Sequence, residues 1–260
     1  MEKNHGKFNI PAKVNLSLAI TGVKGALHTL DMETVAVDLC DTVTYNKTEK
    51  GGIAIDYTST LIDFDKERFR PVVESAVEKF VAEYGDTDCH ILIEKRVPLG
   101  AGIGGSSTAV VGVLKALEDL KDIRLDDRFL SSIGSDIPVV YRGGHNHVTG
   151  VGDVVEALEP IFKHFVLLVK GGVDSEKAYR LYDQIGAERF GNRRNDIEKA
   201  ARAINPAVKE AREILENLGA KDVVMSGSGS AVVAIFDDEL SAKSVFDKVD
   251  GFNKFLTKTF

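Results

Sequence analysis

A glycine- and hydroxyl-rich segment between an expected strand and an expected helix carries the strongest chemical signal in the sequence. Small residues let the main chain approach a ligand closely, and glycine adopts positive φ without strain. The start of the following helix offers unpaired N–H groups and the positive end of its dipole, which favour a bound phosphate. Hydroxyl side chains can bond phosphate oxygens or a bound Mg²⁺. We name this segment the glycine loop (residues 98–108), and it supplies the predicted phosphate-binding residues: Pro98, Gly100, Ala101, Gly102, Ile103, Gly104, Gly105, Ser106, Ser107 and Thr108.

Two other interpretations of the glycine loop remain open at this point. Gly100, Gly102 and Gly105 satisfy the G-x-G-x-x-G spacing of dinucleotide-binding folds. That fold calls for a strand ending in an acidic residue about 20 residues later, whereas residues 121–128 are polar and do not resemble a strand. The second alternative is a tight turn without a ligand. A Walker-type P-loop is excluded, because the chain contains no G-x-x-x-x-G-K-[ST] string.

Lys13 and Asp136 are the candidate catalytic residues. Lys13 interrupts an otherwise apolar strand pattern, and a buried lysine is rare unless it is paired. Asp136 lies in a short Gly-Ser-Asp turn before Pro138, where a carboxylate can accept a proton, although capping a turn would explain it equally well. We predict that Lys13 and Asp136 form a pair. Asn15, two residues after Lys13, can donate a hydrogen bond to a substrate or else face solvent.

A second glycine motif follows near the C-terminus, between two apolar strand patterns. Gly227, Ser228 and Gly229 can close over a bound ligand, and a simple hairpin turn is the alternative. His145 and His147 share one strand face, but no third ligand follows at a useful spacing. We therefore predict no metal-ligating side chains there.

The elements that must position these residues mix strands and helices without regular alternation. Strand patterns cover residues 15–21, 32–45, 53–57, 89–97, 146–158, 165–169, 223–225 and 231–236, and helical spacing marks residues 65–84, 110–117, 126–133, 175–185, 205–218 and 240–249. This pattern predicts an α+β fold with two lobes. We place the domain boundary between residues 158 and 159, which gives domains 1–158 and 159–260.

Composition narrows the class of protein. Lys plus Arg number 33 and Asp plus Glu number 40 among 260 residues, a net charge of −7 that disfavours a nucleic-acid partner. No apolar run is long enough for a membrane span. Two cysteines 49 positions apart favour reduced thiols and a cytoplasmic location. An enzyme acting on a small molecule is the expected class, and the sequence makes no prediction of its oligomeric state.

Five motifs in order resemble those of the GHMP kinases, and within them the 4-diphosphocytidyl-2-C-methyl-D-erythritol kinases. The glycine loop resembles the ATP loop of the whole family, and the second glycine motif resembles its C-terminal counterpart. Three further strings resemble motifs of that subfamily: residues 11–16 (PAKVNL), 134–138 (GSDIP) and 195–198 (NDIE). The resemblance spans nearly the whole chain.

The resemblance implies both fold and activity. It implies an N-terminal lobe similar to ribosomal protein S5, a ferredoxin-like C-terminal lobe and an active site in the cleft between them. It also implies transfer of a phosphoryl group from ATP, with Mg²⁺, to a small-molecule hydroxyl. The expected acceptor is the 2-hydroxyl of 4-diphosphocytidyl-2-C-methyl-D-erythritol, in the non-mevalonate isoprenoid pathway. By similarity, Asp136 is the base or orienting group, with Lys13 beside it.

The predicted substrate-binding residues are Asn15, His28, Tyr179, Gly227, Ser228 and Gly229. His28 matches the subfamily's histidine, whereas Leu27 stands where the subfamily carries an aromatic ring beside cytosine. Tyr179 can supply an aromatic surface for the base, or it can pack in the core. The departure at Leu27 leaves phosphoryl transfer intact and bears on the cytidine group. Two alternatives therefore stay open: a family member acting on another small alcohol, and a nucleotide-binding module without catalysis.

Overall fold

The computed structural model describes residues 4–59, 61–62 and 65–260, and the chain divides into two compact units. Unit 1 contains the N-terminal residues up to Ala12 together with Cys40–Pro98 and Gly104–Arg142. Unit 2 contains Lys13–Leu39, Leu99–Ile103 and Gly143–Phe260. The glycine loop therefore contributes residues 99–103 to unit 2, and residues 98 and 104–108 to unit 1.

Ten strands and eight helices are present in the described residues. The strands are β1 (His5–Lys24), β2 (Leu27–Lys47), β3 (Ile53–Ser59), β4 (Cys89–Lys95), β5 (His145–Gly150), β6 (Val154–Ala157), β7 (His164–Val169), β8 (Val223–Met225), β9 (Val232–Phe236) and β10 (Asn253–Lys258). The helices are α1 (Lys66–Tyr84), α2 (Gly105–Lys121), α3 (Asp127–Ile133), α4 (Ile137–Arg142), α5 (Ser175–Ile185), α6 (Glu198–Ile204), α7 (Ala207–Asn217) and α8 (Glu239–Phe246).

Unit 1 packs helices against a small mixed sheet. The last part of β2 pairs antiparallel with β4, from Thr42 opposite Glu94 to Lys47 opposite Cys89. β3 pairs with β4 in parallel, and α1 connects these two strands. Nearly every residue from Thr108 to Leu117 of α2 is buried, because this helix packs against α1, α4 and β4. This burial fixes the helix that starts at the glycine loop.

Unit 2 contains an antiparallel sheet in the order β10-β7-β9-β8, with α7 and α8 packed on it. Every residue of β7 from Phe165 to Val169 is buried, as expected for a central strand covered on both faces. In the same unit, β2 pairs with β5 from Leu30 to Val35, and β5 and β6 form a hairpin. The unit thereby carries the second glycine motif at the connection between β8 and β9.

The predicted helices and strands are largely confirmed, with three omissions. α4, α6 and β10 lack a clear periodic pattern: α4 and α6 are seven residues or shorter, and β10 buries only Thr257 fully. β1 and β2 are longer than predicted. Their central residues are buried on both faces, and one of the two buried faces of β1 carries the polar residues Lys13 and Asn15. The domain boundary at 158/159 remains a prediction. Among the described residues, no helix combines the length and the apolar character that a membrane span requires.

Candidate active site

The start of α2 in unit 1 has the local geometry that the sequence predicts for the glycine loop. Gly104 precedes the helix with a φ of 80°, a conformation that favours glycine, and its carbonyl accepts a hydrogen bond from the Thr108 N–H at 2.9 Å. Ser106 and Ser107 are half-buried in the first turn. Both line a cavity of about 250 Å³, which places two hydroxyls and the helix N-terminus at one opening.

Asp136 lines the same cavity. It lies in the turn between α3 and α4, where the Ile137 N–H bonds to the Gly134 carbonyl and the Asp136 carbonyl accepts the Val140 N–H. The turn is short because α3 ends at Ile133 and α4 begins at Ile137. Unit 1 therefore brings Ser106, Ser107 and Asp136 together around one cavity.

Lys79 is a cationic residue at this cavity that the sequence analysis did not identify. It is exposed on α1, lines the cavity and donates a hydrogen bond to the Ser132 carbonyl. Its position on the polar face of an amphipathic helix resembles that of any solvated lysine, so the sequence gives no signal for it.

A buried ion pair lies under the first turn of α2. Lys95 and Asp41 are both fully buried and bonded to each other, and Lys95 also donates to the Gly105 carbonyl. Burial lowers the pKa of Lys95, while the charge and the hydrogen bond of Asp41 act in the opposite direction. The Thr108 hydroxyl donates to Asp41 at 2.5 Å. Thr108 itself is fully buried, so Ser106 and Ser107 are the hydroxyl residues of the glycine loop that line the cavity.

In unit 2, residues 99–103 of the glycine loop lie main chain against main chain on the second glycine motif. A Cβ atom on Gly102 would come 2.1 Å from the Ser226 carbonyl oxygen, and one on Gly227 would come 2.7 Å from the Gly102 carbonyl oxygen. The Ala231 N–H donates to the Ala101 carbonyl at 2.9 Å. The two glycine segments therefore form one compact structure that has no room for side chains at Gly102 and Gly227.

Ser226 connects this structure to β1. Its hydroxyl donates to the Gly102 carbonyl at 3.0 Å and accepts the Asn15 N–H at 3.0 Å. Lys13 is buried, its Nζ donates to Asn15 Oδ1 at 2.6 Å, and its N–H donates to the Ile103 carbonyl. The structure thus holds Lys13 and Asn15 beside residues 99–103. The pairing of Lys13 with Asp136 remains a prediction.

Asn195 holds the second glycine motif through hydrogen bonds to its main chain. The sequence alone assigns no role to this residue. Its Nδ2 donates to the carbonyls of Met225 at 2.7 Å and Gly227 at 2.8 Å, and its Oδ1 accepts the Ile197 N–H. Ser228 of the motif bonds side chain to side chain with Ser175 at 2.6 Å. The NDIE string was the only signal for this support, and its spacing alone does not reveal which backbone it holds.

His28 and Tyr179, both predicted to bind substrate, lie together in unit 2. Their rings stack with centroids 5.0 Å apart and planes inclined by 28°. His28 Nε2 lies 2.7 Å from Asp183 Oδ1, and Tyr182 meets the imidazole edge-on. Leu27 is exposed beside them. The structure therefore brings the two predicted rings into contact with each other, and their binding of a base remains a prediction.

No cluster of three or more metal-ligating side chains occurs in the part of the chain that the structure describes. His145 and His147, which share a strand face, instead bond to the carboxylates of Glu33 and Asp31 at 2.9 and 3.0 Å.

Comparison with known proteins identifies the family. The family model for the GHMP kinase N-terminal domain matches residues 71–158, and the model for the GHMP kinase C-terminal domain matches residues 178–254. The chain belongs to the GHMP kinases. It is 32% identical to the 4-diphosphocytidyl-2-C-methyl-D-erythritol kinase of Clostridium kluyveri, over 95% of this chain and 98% of that one.

Solved structures of GHMP kinases share the fold. A crystal structure of 4-(cytidine 5'-diphospho)-2C-methyl-D-erythritol kinase has a TM-score of 0.75 at 22% identity, covering 98% of this chain and 100% of that one. Homoserine kinase from Cytophaga hutchinsonii has a TM-score of 0.69 at 17% identity, covering 100% and 96%. The predicted α+β GHMP kinase fold and the assignment as a small-molecule kinase are thereby confirmed.

Proposed function

We propose that this GHMP kinase transfers the γ-phosphoryl group of ATP to the 2-hydroxyl of 4-diphosphocytidyl-2-C-methyl-D-erythritol. The cavity that joins Ser106 and Ser107 at the start of α2 to Asp136 carries the proposal, because phosphoryl transfer needs a phosphate cradle next to a group that receives the hydroxyl proton. The name of the Clostridium kluyveri relative supports this acceptor. In this role the enzyme catalyses a step of non-mevalonate isoprenoid synthesis in the cytoplasm.

Asp136 is proposed to accept the proton of the acceptor hydroxyl. The hydroxyl oxygen then forms a bond to the γ-phosphorus, the bond from that phosphorus to the β-phosphate oxygen breaks, and ADP leaves. The amides and hydroxyls at the start of α2 stabilise the phosphate charge during transfer. Lys13 is proposed to add positive charge beside Asp136, as the family resemblance implies.

Mg²⁺ is the metal that this donor set fits. Ser106 and Ser107 supply hydroxyl oxygens at the cavity, and the described residues that line it include no thiol and no imidazole. These residues would hold the ion together with the phosphates, and a bound Mg²⁺ neutralises phosphate charge during transfer.

The acceptor side is proposed to use residues of unit 2. Tyr179 and His28 present ring faces to the cytosine base, and Asn15 with Ser228 and the amides of Gly227 and Gly229 hold its polar groups. Because Leu27 replaces an aromatic ring, stacking on the base is expected from one side only. Loss of one aromatic partner costs about 1 kcal/mol, which weakens binding roughly fivefold and leaves the reaction possible.

An ADP-release assay across acceptors tests this proposal. Turnover is expected with 4-diphosphocytidyl-2-C-methyl-D-erythritol, and none with mevalonate or homoserine. Turnover of either of those instead would establish the alternative of a family member acting on another alcohol. Nucleotide binding without turnover of any acceptor would favour the nucleotide-binding module.

Asp136→Asn tests the proton acceptor. We expect kcat to fall by about 10²–10⁴, with ADP affinity nearly unchanged, because the amide keeps the shape and loses the basic oxygen. Asp127→Asn is the matched control, since Asp127 is an exposed carboxylate on α3 in the same unit, paired with Arg142 at 2.5 Å. Equal kcat values for the two variants would remove Asp136 from the chemistry.

A further inference from the structure

Asp41 lies at the base of the glycine loop and bonds both to the chain just before the loop and to Thr108, the last residue of the loop. At the entry to the loop, Asp41 Oδ1 accepts the N–H groups of Arg96 at 2.8 Å and Val97 at 2.9 Å. At the exit, Asp41 Oδ2 accepts the Thr108 hydroxyl. One carboxylate therefore fixes the residues before the loop and the first turn of α2, with which the loop ends.

Lys95 completes the arrangement at the same point. Its ammonium group contacts Asp41 Oδ2 and the Gly105 carbonyl, the first residue of α2. The Thr108 hydroxyl also lies 3.0 Å from that carbonyl. All three side chains have no solvent exposure, so none of these bonds competes with water.

We propose that Asp41 is a positioning residue for ATP. Asp41 acts through Thr108 and Lys95 to hold the start of α2 in the orientation that binds phosphate. The amides and hydroxyls of Ser106 and Ser107 must converge on phosphate oxygens, and a small rotation of the first helical turn would misalign them. Asp41 is fully buried, and its hydrogen bonds reach the chain just before the loop and Thr108 at the end of the loop. This inference rests on the proposed use of ATP at the glycine loop.

Thr108→Val and Thr108→Ser form the first test. Valine keeps the shape of threonine and removes the hydroxyl that bonds Asp41, whereas serine keeps that hydroxyl. We expect Thr108→Val to weaken ADP affinity and raise KM for ATP about fivefold or more, with KM for the acceptor within twofold of wild type. Thr108→Ser should return ADP affinity to within about twofold. Thr108→Ala removes the same hydroxyl and replaces the valine variant if that protein does not fold.

Thr42→Val is the matched control. Like Thr108, Thr42 is a buried threonine, and it lies next to Asp41 on β2. Its hydroxyl bonds to Asn9 at 2.9 Å and not to the loop. It should lower the melting temperature and leave ADP affinity within twofold of wild type. If Thr42→Val weakens ADP binding as much as Thr108→Val, or if Thr108→Val binds ADP like wild type, the proposal is wrong.

A double-mutant cycle separates positioning from a direct contact of Thr108 with phosphate. Asp41→Asn should weaken ADP affinity by a factor similar to that of Thr108→Val. If Asp41→Asn does not fold, Lys95→Met takes its place. The double variant should bind ADP no more weakly than the weaker-binding of the two single variants, because both substitutions break the same network. If the two single-variant losses of ADP affinity multiply in the double variant, Thr108 makes a contact of its own with the nucleotide and the proposal is wrong. ADP affinity needs no acceptor, so a wild type that binds ADP and turns over no acceptor refutes the proposed function and leaves this test intact.

Discussion

The two halves of the glycine loop are held by different kinds of interaction. In unit 2, residues 99–103 pack main chain on main chain against the second glycine motif, with neutral donors from Ser226 and Asn195 nearby. In unit 1, the start of α2 is held by a buried charge pair, Asp41 and Lys95. The first arrangement depends on the absence of side-chain volume, and the second depends on charge balance.

This difference predicts which substitutions each half tolerates. A main-chain contact fails when an atom is added, since backbone cannot rotate away from a new Cβ. A buried ion pair fails when one charge is removed, since the remaining charge loses its compensation. Size should therefore dominate in unit 2, and charge in unit 1.

Gly102→Ala should produce the largest effect. The new Cβ would lie 2.1 Å from the Ser226 carbonyl oxygen, and Gly102 has a φ of 74°. We expect a loss of about 5 kcal/mol or a failure to fold, measured by urea unfolding. Gly143→Ala is the control, because Gly143 has a similar φ of 64° but nothing within 4 Å of a Cβ. It should cost only about 1–2 kcal/mol. Equal losses would show that φ, and not the close contact, determines the requirement for glycine.

Lys95→Met should come next, with a loss of about 3–5 kcal/mol in the free energy of unfolding. The change leaves the Asp41 carboxylate buried without its cation. Adding Asp41→Asn removes that charge while keeping an oxygen for the Arg96 and Val97 N–H groups. The double variant should therefore regain about half of the lost stability. A double variant less stable than Lys95→Met would mean that Asp41 contributes through its hydrogen bonds and not through its charge.

The parts of the site that local patterns mark could be predicted from the sequence. Ser106, Ser107 and Asp136 stand in short strings of glycine and hydroxyl residues, and the structure places all three on one cavity. Their chemistry is visible within a few residues of chain. Amphipathic helices such as α1 and α7 were predicted within about two residues for the same reason.

The supports of the site could not be predicted, because their partners are remote in the chain. Asp41 and Lys95 are 54 residues apart, and Asn15 and Ser226 are 211 apart. Each looks like an ordinary polar residue in or next to a strand, and only tertiary structure gives it a partner. Lys13 is the exception, because a lysine inside an apolar strand signals a buried partner by itself.

Asn195→Leu tests the neutral support in unit 2 and should have a smaller effect. The variant keeps a similar volume but leaves the Met225 and Gly227 carbonyls without their donor. We expect a loss of about 1–3 kcal/mol in urea unfolding, together with weaker acceptor binding as the second glycine motif loosens. Asn195→Asp should be at least as damaging, because a carboxylate placed against two carbonyls can only repel them. A stable aspartate variant would show that another group holds the motif.

Alkaline pH offers a last test of how charge is tolerated in unit 1, through Cys89, which lies six residues before Lys95 on β4. Burial raises the pKa of its thiol from 9.0 to about 11, and the charges of Asp86 and Asp88 add to the effect. Below pH 9 the thiol is protonated in both the folded and the unfolded chain, so it costs nothing. Between pH 9 and 11 only the unfolded chain releases the proton, and stability falls by up to about 3 kcal/mol. Between pH 9 and 11, the free energy of unfolding of Cys89→Ala, measured in urea, should therefore fall by less than that of wild type, by this same amount. Parallel curves for the two proteins would show that the thiol ionises equally well in the folded chain, and that burial on β4 does not disfavour this charge.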